Sequence, residues 1–123
     1  MVLSLACPVE ARERYVGYYE NRDHCPFREW MSTLREGRAI AAIDARIARF
    51  RTGNFGDSKP IGEGALESRI NFGPGYRIYY GVDGNDIIVL NGGDKGSQTA
   101  DISDALSYWR TYKERRARER KQT

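Results

Sequence analysis

Apolar and polar residues alternate most clearly in the middle of the chain, between Gly53 and Ile102. Alternation with a period of two is typical of half-buried β-strands, and clusters of Gly, Pro, Asn and Asp between such runs mark turns. The three alternating runs are Leu66 to Phe72, Tyr76 to Val82 and Ile87 to Leu90. The turn residues between them are Gly73-Pro74-Gly75 and Asp83-Gly84-Asn85-Asp86. The pattern predicts a three-stranded antiparallel meander around which the rest of the chain is organised.

The first predicted hairpin brings two arginines to one face of the sheet. A three-residue loop, Gly73-Pro74-Gly75, places the apolar residues of both strands on one face and Arg69 and Arg77 together on the other, on a diagonal. Asn71 and Tyr79 share the arginine face. A two-residue loop would set polar residues against the apolar ones, so the three-residue register is preferred. In this register the opposed apolar pairs are Phe72 with Tyr76 and Ile70 with Ile78.

The second predicted hairpin adds apolar residues to the arginine face. Its two-residue turn is centred on Asp83-Gly84 or on Gly84-Asn85, and both choices place Ile88 and Leu90 beside the arginines. We expect the last helix of the chain to cover this partly apolar region.

Periodicity predicts a strand and two helices before the meander. The strand runs from Arg12 to Glu20 and is rich in aromatic residues. The first helix begins at Pro26 and stops near Gly37, and its apolar residues are Phe27, Trp30, Met31 and Leu34. The second helix ends at Gly53, and its buried stripe is Ile40, Ile43, Ile47 and Phe50. These two helices are expected to form a hairpin packed on the sheet.

A final helix is predicted after the meander. Ser97 or Thr99 caps it, because either hydroxyl can accept a hydrogen bond from the first turn. Its apolar side is formed by Ile102, Ala105, Leu106, Trp109 and Tyr112. The expected fold is therefore α+β: an N-terminal strand, a helical hairpin, the meander and a C-terminal helix.

Length and cysteine content limit the class of protein. The 123 residues suit one domain, residues 1–123, with a core from about 12 to 112 and a basic C-terminal extension from 113 to 123. The two cysteines, Cys7 and Cys25, form no disulfide framework or metal-ligand pattern, so free thiols are expected. The opening Met1 to Ala6 is apolar but too short for a membrane span and lacks the charge of a signal peptide. We expect a cytoplasmic protein without a cofactor.

Charge is unevenly distributed along the chain. The net charge is +3, but the seven Lys/Arg and two Glu from Arg110 to Thr123 alone contribute +5. The preceding residues carry 13 basic and 15 acidic side chains, or −2. Global charge therefore does not attract the body of the protein to a polyanion, and a nucleic-acid site must depend on a local cluster or on the tail. A solvated helix end is the simpler interpretation of the tail.

The order of elements and several motifs resemble the RelE/ParE toxin superfamily of bacterial toxin–antitoxin modules, in particular its HigB-like "addiction module killer" branch. The resemblance extends from about Phe27 to Tyr112 and excludes the basic run after it. Its motifs, in order, are Trp30-Met31 with Leu34-Arg35, Gly53-Asn54-Phe55-Gly56-Asp57 with Lys59-Pro60, Glu67-Ser68-Arg69-Ile70, Gly73-Pro74-Gly75-Tyr76-Arg77-Ile78-Tyr79, and Gly92-Gly93-Asp94-Lys95 with Gln98, Asp101 and Ile102.

The resemblance implies a small toxin that cleaves messenger RNA on the ribosome and is neutralised by a cognate antitoxin of the helix-turn-helix type. Metal-free cleavage by the ribose 2′-hydroxyl builds negative charge on the phosphate and the leaving oxygen, which guanidinium and ammonium groups stabilise. By family position, Arg77 contacts the scissile phosphate, Lys95 is a catalytic basic residue and Arg69 is a second basic residue. Candidate RNA-binding residues are Tyr79, which could stack on a base, together with Lys59 and Asn71.

Each candidate also has a purely structural interpretation. Arg69 and Arg77 could pair across strands with Glu67, Asp94 or another carboxylate. Lys95 could be a turn residue without a role in the site. Tyr79 could be buried, and Lys59 is assigned to an exposed loop. Asp94 and Asp101 are interpreted as cap or turn residues.

The expected general base is not identified by sequence. Related ribonucleases place a tyrosine or histidine near the end of the chain, where this sequence has Thr99, Ala100 and Asp101. The single histidine, His24, precedes the first helix. An aspartate, or the ribosome, would have to supply the base.

Two other function classes remain open on sequence. The same scaffold could inhibit DNA gyrase without catalysis, as ParE-like relatives do, or it could be only an antitoxin-binding or RNA-binding module. The Gly-Pro-Gly-Tyr-Arg motif at 73–77 and the Gly-Gly-Asp-Lys motif at 92–95 favour the ribonuclease branch.

Overall fold

The protein has an α+β fold built on one five-stranded sheet. The computed structural model describes residues 13–122. Its strands are β1 (Tyr15–Tyr18), β2 (Asp57–Gly62), β3 (Ala65–Ile70), β4 (Tyr76–Asp83) and β5 (Asp86–Asp94). Their order in the sheet is β1-β5-β4-β3-β2. Strands β2 to β5 form an antiparallel meander, and β1 pairs in parallel with β5 at one edge. The predicted meander is confirmed, with one strand more than expected.

Helices cover both faces of this sheet. They are α1 (Pro26–Thr33), α2 (Gly37–Phe50) and α3 (Gln98–Gln122), and a 3₁₀ turn, Lys95–Ser97, leads directly into α3. One core forms where α1 and α2 pack on Ile70, Ile78 and Tyr80, and a second forms where α3 packs on Tyr79 and Leu90. The expected packing of the helices is therefore confirmed. In α2 the buried positions are Ala39, Ile43, Ile47 and Phe50, so Ala39 replaces Ile40 in the predicted stripe.

The predicted register of the first hairpin is wrong by two residues. Ile70 lies opposite Tyr76 rather than Ile78, because Asn71 and Phe72 join Gly73-Pro74-Gly75 in a five-residue loop. The amide of Gly75 donates to the Phe72 carbonyl at 3.0 Å and closes the turn. A shift of two positions preserves the facing of every side chain, so the division of the sheet into an apolar face and an arginine face is correct.

The second hairpin has a two-residue turn at Gly84-Asn85, one of the two predicted positions, with Asp83 opposite Asp86. Further along, Tyr80 pairs with Val89 and Tyr79 pairs with Asn91, so Leu90 is an extra residue in β5. Such a bulge changes the facing of the residues that follow it by one position. It is not visible in the alternation pattern, which continues as far as Leu90.

Two predicted boundaries are corrected. The segment around Lys59, assigned to a loop, is strand β2, whose pairing with β3 sets Lys59 opposite Glu67. Pro60 weakened the strand signal, but an edge strand tolerates proline because one side of its backbone is unpaired. The first strand is shorter than the predicted Arg12 to Glu20, and Arg12, Cys7 and the apolar opening lie outside the described residues.

Within residues 13–122, no helix combines the length and the apolar composition needed to cross a bilayer. Cys25, which precedes α1, is a free thiol as expected.

Candidate functional site

A groove of about 380 Å³ opens at the end of the sheet where the β3–β4 loop meets the 3₁₀ turn. Residues 69–77 line it together with Lys95. The three predicted catalytic residues, Arg69, Arg77 and Lys95, therefore lie on one cavity although they come from three separate segments. The five-residue loop and the turn after β5 create this juxtaposition, since β4 and β5 are neighbours in the sheet.

Arg77 forms the floor of the groove. Only 9% of the residue is exposed, and its Nη1 donates to the Gly75 carbonyl at 3.0 Å. Its Nε lies 3.3 Å from Oε2 of Glu67, in an ion pair that lacks hydrogen-bond geometry. One guanidinium nitrogen is thus hydrogen-bonded to the protein and a second lies in an ion pair. The Nη2 atom makes no hydrogen bond within residues 13–122 and is the nitrogen left for a ligand.

Arg69 lies directly opposite Arg77 in the β3–β4 ladder, not on the predicted diagonal. Its Nη2 pairs with Oδ1 of Asp57 at 3.2 Å, and both side chains are substantially exposed. From the other side of the sheet, Arg46 of α2 donates to the Arg69 carbonyl and to Ser68 Oγ, each at 2.8 Å. Burial lowers the pKa of Arg46. The backbone of Arg69 is therefore fixed, while its guanidinium is shared between a carboxylate and the solvent.

Lys95 is the exposed cation of the groove. It begins the 3₁₀ turn, which Asp94 caps by accepting from the amides of Gly96 and Ser97 at 2.8 and 3.3 Å. Asp94 is therefore a cap residue, as predicted. A Cβ built on Gly75 would lie 3.6 Å from Arg77 Nη1 and 4.0 Å from Lys95 Cβ, so both residues border the same glycine. The Lys95 ammonium has no hydrogen-bond or ion-pair partner within the described residues.

The predicted RNA-binding residues are not all at the groove. Asn71 lines it and is exposed. Tyr79 is fully buried under α3, so the prediction that it stacks on a base is wrong. Lys59 is exposed on the edge strand β2 and is not among the lining residues of the groove. Its strand position sets it beside Glu67 rather than beside Arg77.

A buried polar layer lies behind Arg77, beneath α3. Glu67 is completely buried, and its Oε2 accepts from Gln98 Nε2 at 2.7 Å in addition to facing Arg77. Burial, with the negative charge of Glu67 as the next cause, raises the pKa of the Tyr79 hydroxyl well above its ordinary value. Tyr79 therefore stays protonated and neutral. The predicted strand parity already placed Glu67 with the arginines, but nothing in the sequence indicated that Gln98 would reach it.

No groove residue has the chemistry of a ready proton acceptor. His24 lies in the exposed loop before α1 and pairs with Glu29 at 2.8 Å, outside the groove. Asp101 is on the first turn of α3, where burial raises its pKa and a hydrogen bond from Ser97 opposes the rise. Tyr108 stacks on Tyr19, and Tyr112 donates to Asp83 at 2.9 Å. Within residues 13–122, no three or more His, Cys, Asp or Glu side chains are grouped to hold a metal ion.

Comparison with known proteins identifies a relative in Haemophilus influenzae, an uncharacterized protein. The two chains are 48% identical over 80 residues, which are 64% of this chain and 81% of the relative. No family model matches the sequence. No solved structure matches it. The extent and identity of the match show that this chain and the uncharacterized Haemophilus influenzae protein belong to one family.

Proposed function

We propose that the protein is the toxin of a toxin–antitoxin module, related to the RelE/ParE superfamily, and that it cleaves messenger RNA. The observation that carries the proposal is the convergence of Arg69, Arg77 and Lys95 on one groove. The sequence motifs that resemble the superfamily contribute these residues from three separate segments. The α+β fold, with a meander between a pair of helices and a final helix, is compatible with that relationship.

The charges of the groove suit a phosphate in the act of cleavage. In the proposed reaction the 2′-hydroxyl of a ribose gives up its proton and its oxygen forms a bond to the adjacent phosphorus, while the bond from phosphorus to the 5′-oxygen breaks and that oxygen takes up a proton. The products are a 2′,3′-cyclic phosphate and a 5′-hydroxyl. The phosphorus centre passes through a state with additional negative charge, which fixed cationic donors stabilise by more than they stabilise the substrate.

Each cation has a distinct role in this proposal. Arg77 is immobilised at the floor and presents Nη2 to a nonbridging phosphate oxygen. Lys95 is exposed at the rim and stabilises the leaving 5′-oxygen, and Arg69 contributes to binding of the flanking phosphate. Counting Asp57 and Glu67, which pair with the two arginines, the cluster carries a net charge of +1 before RNA enters. Asn71 at the loop is placed for a contact with the sugar or base.

The proposed partners are the ribosome-bound message in the cytoplasm and a cognate antitoxin with a helix-turn-helix domain. Codon recognition would then reside in the ribosome and the loop residues rather than in stacking of a base on Tyr79, because Tyr79 is inaccessible. In this proposal the ribosome also supplies the proton acceptor that the groove lacks.

The test is brief expression of the protein followed by primer extension on abundant messages. We expect cuts within translated codons. The Arg77→Ala variant should reduce cleavage by about a hundredfold, since one fixed donor of this kind contributes about 3 kcal/mol to transition-state stabilisation. Lys95→Ala should also reduce cleavage. Arg49→Ala is the matched control, because Arg49 is exposed on α2, which packs on the opposite face of the sheet.

Two outcomes contradict the proposal. Intact messages together with loss of plasmid supercoiling would place the protein among gyrase inhibitors. Cleavage that is equal in Arg77→Ala and Arg49→Ala would remove the groove from the reaction. Each variant is compared at equal protein level, with its melting temperature measured, so that an unfolded protein is not counted as an inactive one.

A further inference from the structure

Glu67 is a buried carboxylate whose position is not explained by packing alone. It is 0% exposed, on the central part of β3, under the first turn of α3. An ionised carboxylate at such a site costs several kcal/mol in lost hydration unless charged or polar partners compensate. Its partners are Arg77 Nε at 3.3 Å and Gln98 Nε2 at 2.7 Å. The fold therefore keeps a costly charge directly behind the guanidinium at the floor of the groove.

We infer that Glu67 is a positioning residue that fixes the guanidinium of Arg77 for phosphate contact, an inference that rests on the proposed ribonuclease function. Glu67 cannot touch RNA because it is fully buried, so it acts only through Arg77. It faces the inner nitrogen, Nε, while the Gly75 carbonyl holds Nη1. The hydrogen bond at Nη1 and the charge attraction at Nε restrain the guanidinium, and Nη2 makes no hydrogen bond within residues 13–122.

A restraint is required here because Arg69 lies directly opposite Arg77 in the ladder. Like charges opposed across two strands repel each other, and an unrestrained Arg77 side chain would rotate away from the shared groove. Asp57 offsets the charge of Arg69 in the same way, but that pair is exposed and uses the terminal Nη2 atom. The pair of Glu67 with Arg77 is buried, whereas the pair of Asp57 with Arg69 is exposed and accessible to a phosphate.

The experiment compares Glu67→Gln with wild type, using ribosomes programmed with a short defined message. Glutamine keeps the volume of glutamate and removes the charge. We expect kcat to fall by roughly tenfold to a hundredfold with little change in KM, because a displacement of about 1 Å at a reacting group can cost about a hundredfold in rate. Glu63→Gln is the matched control. It breaks the ion pair of Glu63 with Arg110, which lies outside the groove, and should leave kcat unchanged.

A double-mutant cycle separates positioning from a general structural effect. If Glu67 acts through Arg77, Glu67→Gln should cause no further loss in the Arg77→Ala background. A spectroscopic reading is independent of activity. The Nε–H resonance of Arg77 should be resolved and slow to exchange with water in the wild type, and it should broaden and exchange faster in Glu67→Gln.

A second variant covers the case in which Glu67→Gln does not fold. Gln98→Ala removes the hydrogen bond from Gln98 to Glu67 without removing a charge, and we expect a loss of a few-fold in kcat at unchanged KM. Wild-type turnover in a folded Glu67→Gln protein, or an equal proportional loss in the Arg77→Ala background, overturns the inference and leaves the proposed function intact. A wild-type protein that cuts no message overturns both.

Discussion

Arg69 and Arg77 face each other across the β3–β4 ladder, and each is balanced by a different carboxylate. The opposed pair of like charges opposes folding by up to about 1 kcal/mol, and the two carboxylates offset this. The partner of Arg77 is buried, while the partner of Arg69 is open to water. At the residue scale, Arg77 is therefore a fixed group and Arg69 an adjustable one.

Replacing Asp57 with Asn should strengthen RNA binding. The substitution removes the carboxylate that competes with phosphate for Arg69. Exposed ion pairs contribute about 0.2–1 kcal/mol, so KM for the programmed ribosome should fall by up to about fivefold, with kcat maintained. Steady-state cleavage measures both constants. Asp44→Asn, on the exposed side of α2, removes the same charge elsewhere. An equal fall in KM in both variants would show that only net charge matters.

The sequence predicted which face the basic residues share but not how they pair. Alternation fixes the facing of Arg69 and Arg77, because a two-residue error in register leaves the facing unchanged. The loop length decides the pairing, and Phe72, which packs on the α1–α2 core, could not be assigned to the loop from its hydrophobicity. Tyr79 was misassigned for a similar reason, since its burial depends on how far α3 extends over the sheet.

At the scale of elements, one tryptophan packs directly on a glycine on each face of the sheet. Trp109 of α3 lies on Gly81 of β4, and Trp30 of α1 lies on Gly92 of β5. A Cβ at either glycine would overlap the indole ring. The Trp109 indole also donates to the Glu63 carbonyl at 2.8 Å, which ties α3 to the β2–β3 turn. The close approach of the indole rings at these two glycines sets the distance of α1 and of α3 from the sheet.

Gly81→Ala should therefore destabilise the protein by about 1–3 kcal/mol, because the added methyl group overpacks the contact with Trp109. Urea unfolding followed by circular dichroism measures the change in the free energy of unfolding. Gly37→Ala is the matched control, since Gly37 begins α2 and has no atom within 4 Å of an added Cβ. That variant should be neutral or more stable by up to about 1 kcal/mol. Equal effects of the two substitutions would contradict the packing described.

Another prediction at this scale concerns the attachment of α3 to the β4–β5 turn. Burial first, and then Asp83, raise the pKa of Tyr112 to about 12 from an ordinary value of 10.0. Because the folded pKa is the higher one, the stabilisation by Tyr112 is fully present below pH 10 and is lost as the pH rises towards 12. Tyr112→Phe should cost about 1 kcal/mol at pH 7 through its lost hydrogen bond. The difference between variant and wild type should shrink above pH 10 in unfolding measurements, and a constant difference would rule out this role.

The helices and the central strands followed from periodicity, whereas β2 and the bulge at Leu90 did not. Strand β2 contains Asp57, Lys59 and Pro60, and it forms because the unpaired backbone edge of β3 offers hydrogen bonds, not because its side chains alternate. The bulge adjusts β5 to its neighbour β4, so it depends on a pairing that lies outside the local sequence. Both features come from the assembled sheet.

At the scale of the whole molecule, the basic C-terminal run acts as a clamp that holds the end of α3 against the β4–β5 turn and the segment after β1. Arg115 donates to the Glu20 carbonyl at 2.7 Å, and Arg116 pairs with Asp83 at 3.4 Å. The helix α3 continues to Gln122, so the basic run is the end of this helix, as the simpler interpretation of the tail assumed. Two of the basic side chains of the tail thus contact the Asp83 turn and the segment that follows β1. These contacts give the tail a role in stability, beside any binding of a polyanion.

We expect Arg115→Gln with Arg116→Gln to lower the free energy of unfolding by about 1–2 kcal/mol, because several exposed polar contacts are lost together. The matched pair is Arg118→Gln with Lys121→Gln, which removes the same charge from exposed positions and should change stability by no more than about 0.5 kcal/mol. Thermal and urea unfolding compare the two. Equal stability of both double variants would contradict the clamp, and an equal loss of RNA affinity in both would assign the tail to nucleic acid.

The indole-on-glycine contacts also have a practical consequence for folding studies. The sequence contains two tryptophans in total, and the sheet separates them, with one in each helical layer. Replacing either one with phenylalanine leaves a single tryptophan, and its emission, excited selectively over that of the eight tyrosines, reports only on its own layer. Stopped-flow emission from the two single-tryptophan proteins would then reveal whether both layers dock on the sheet at the same rate or one after the other.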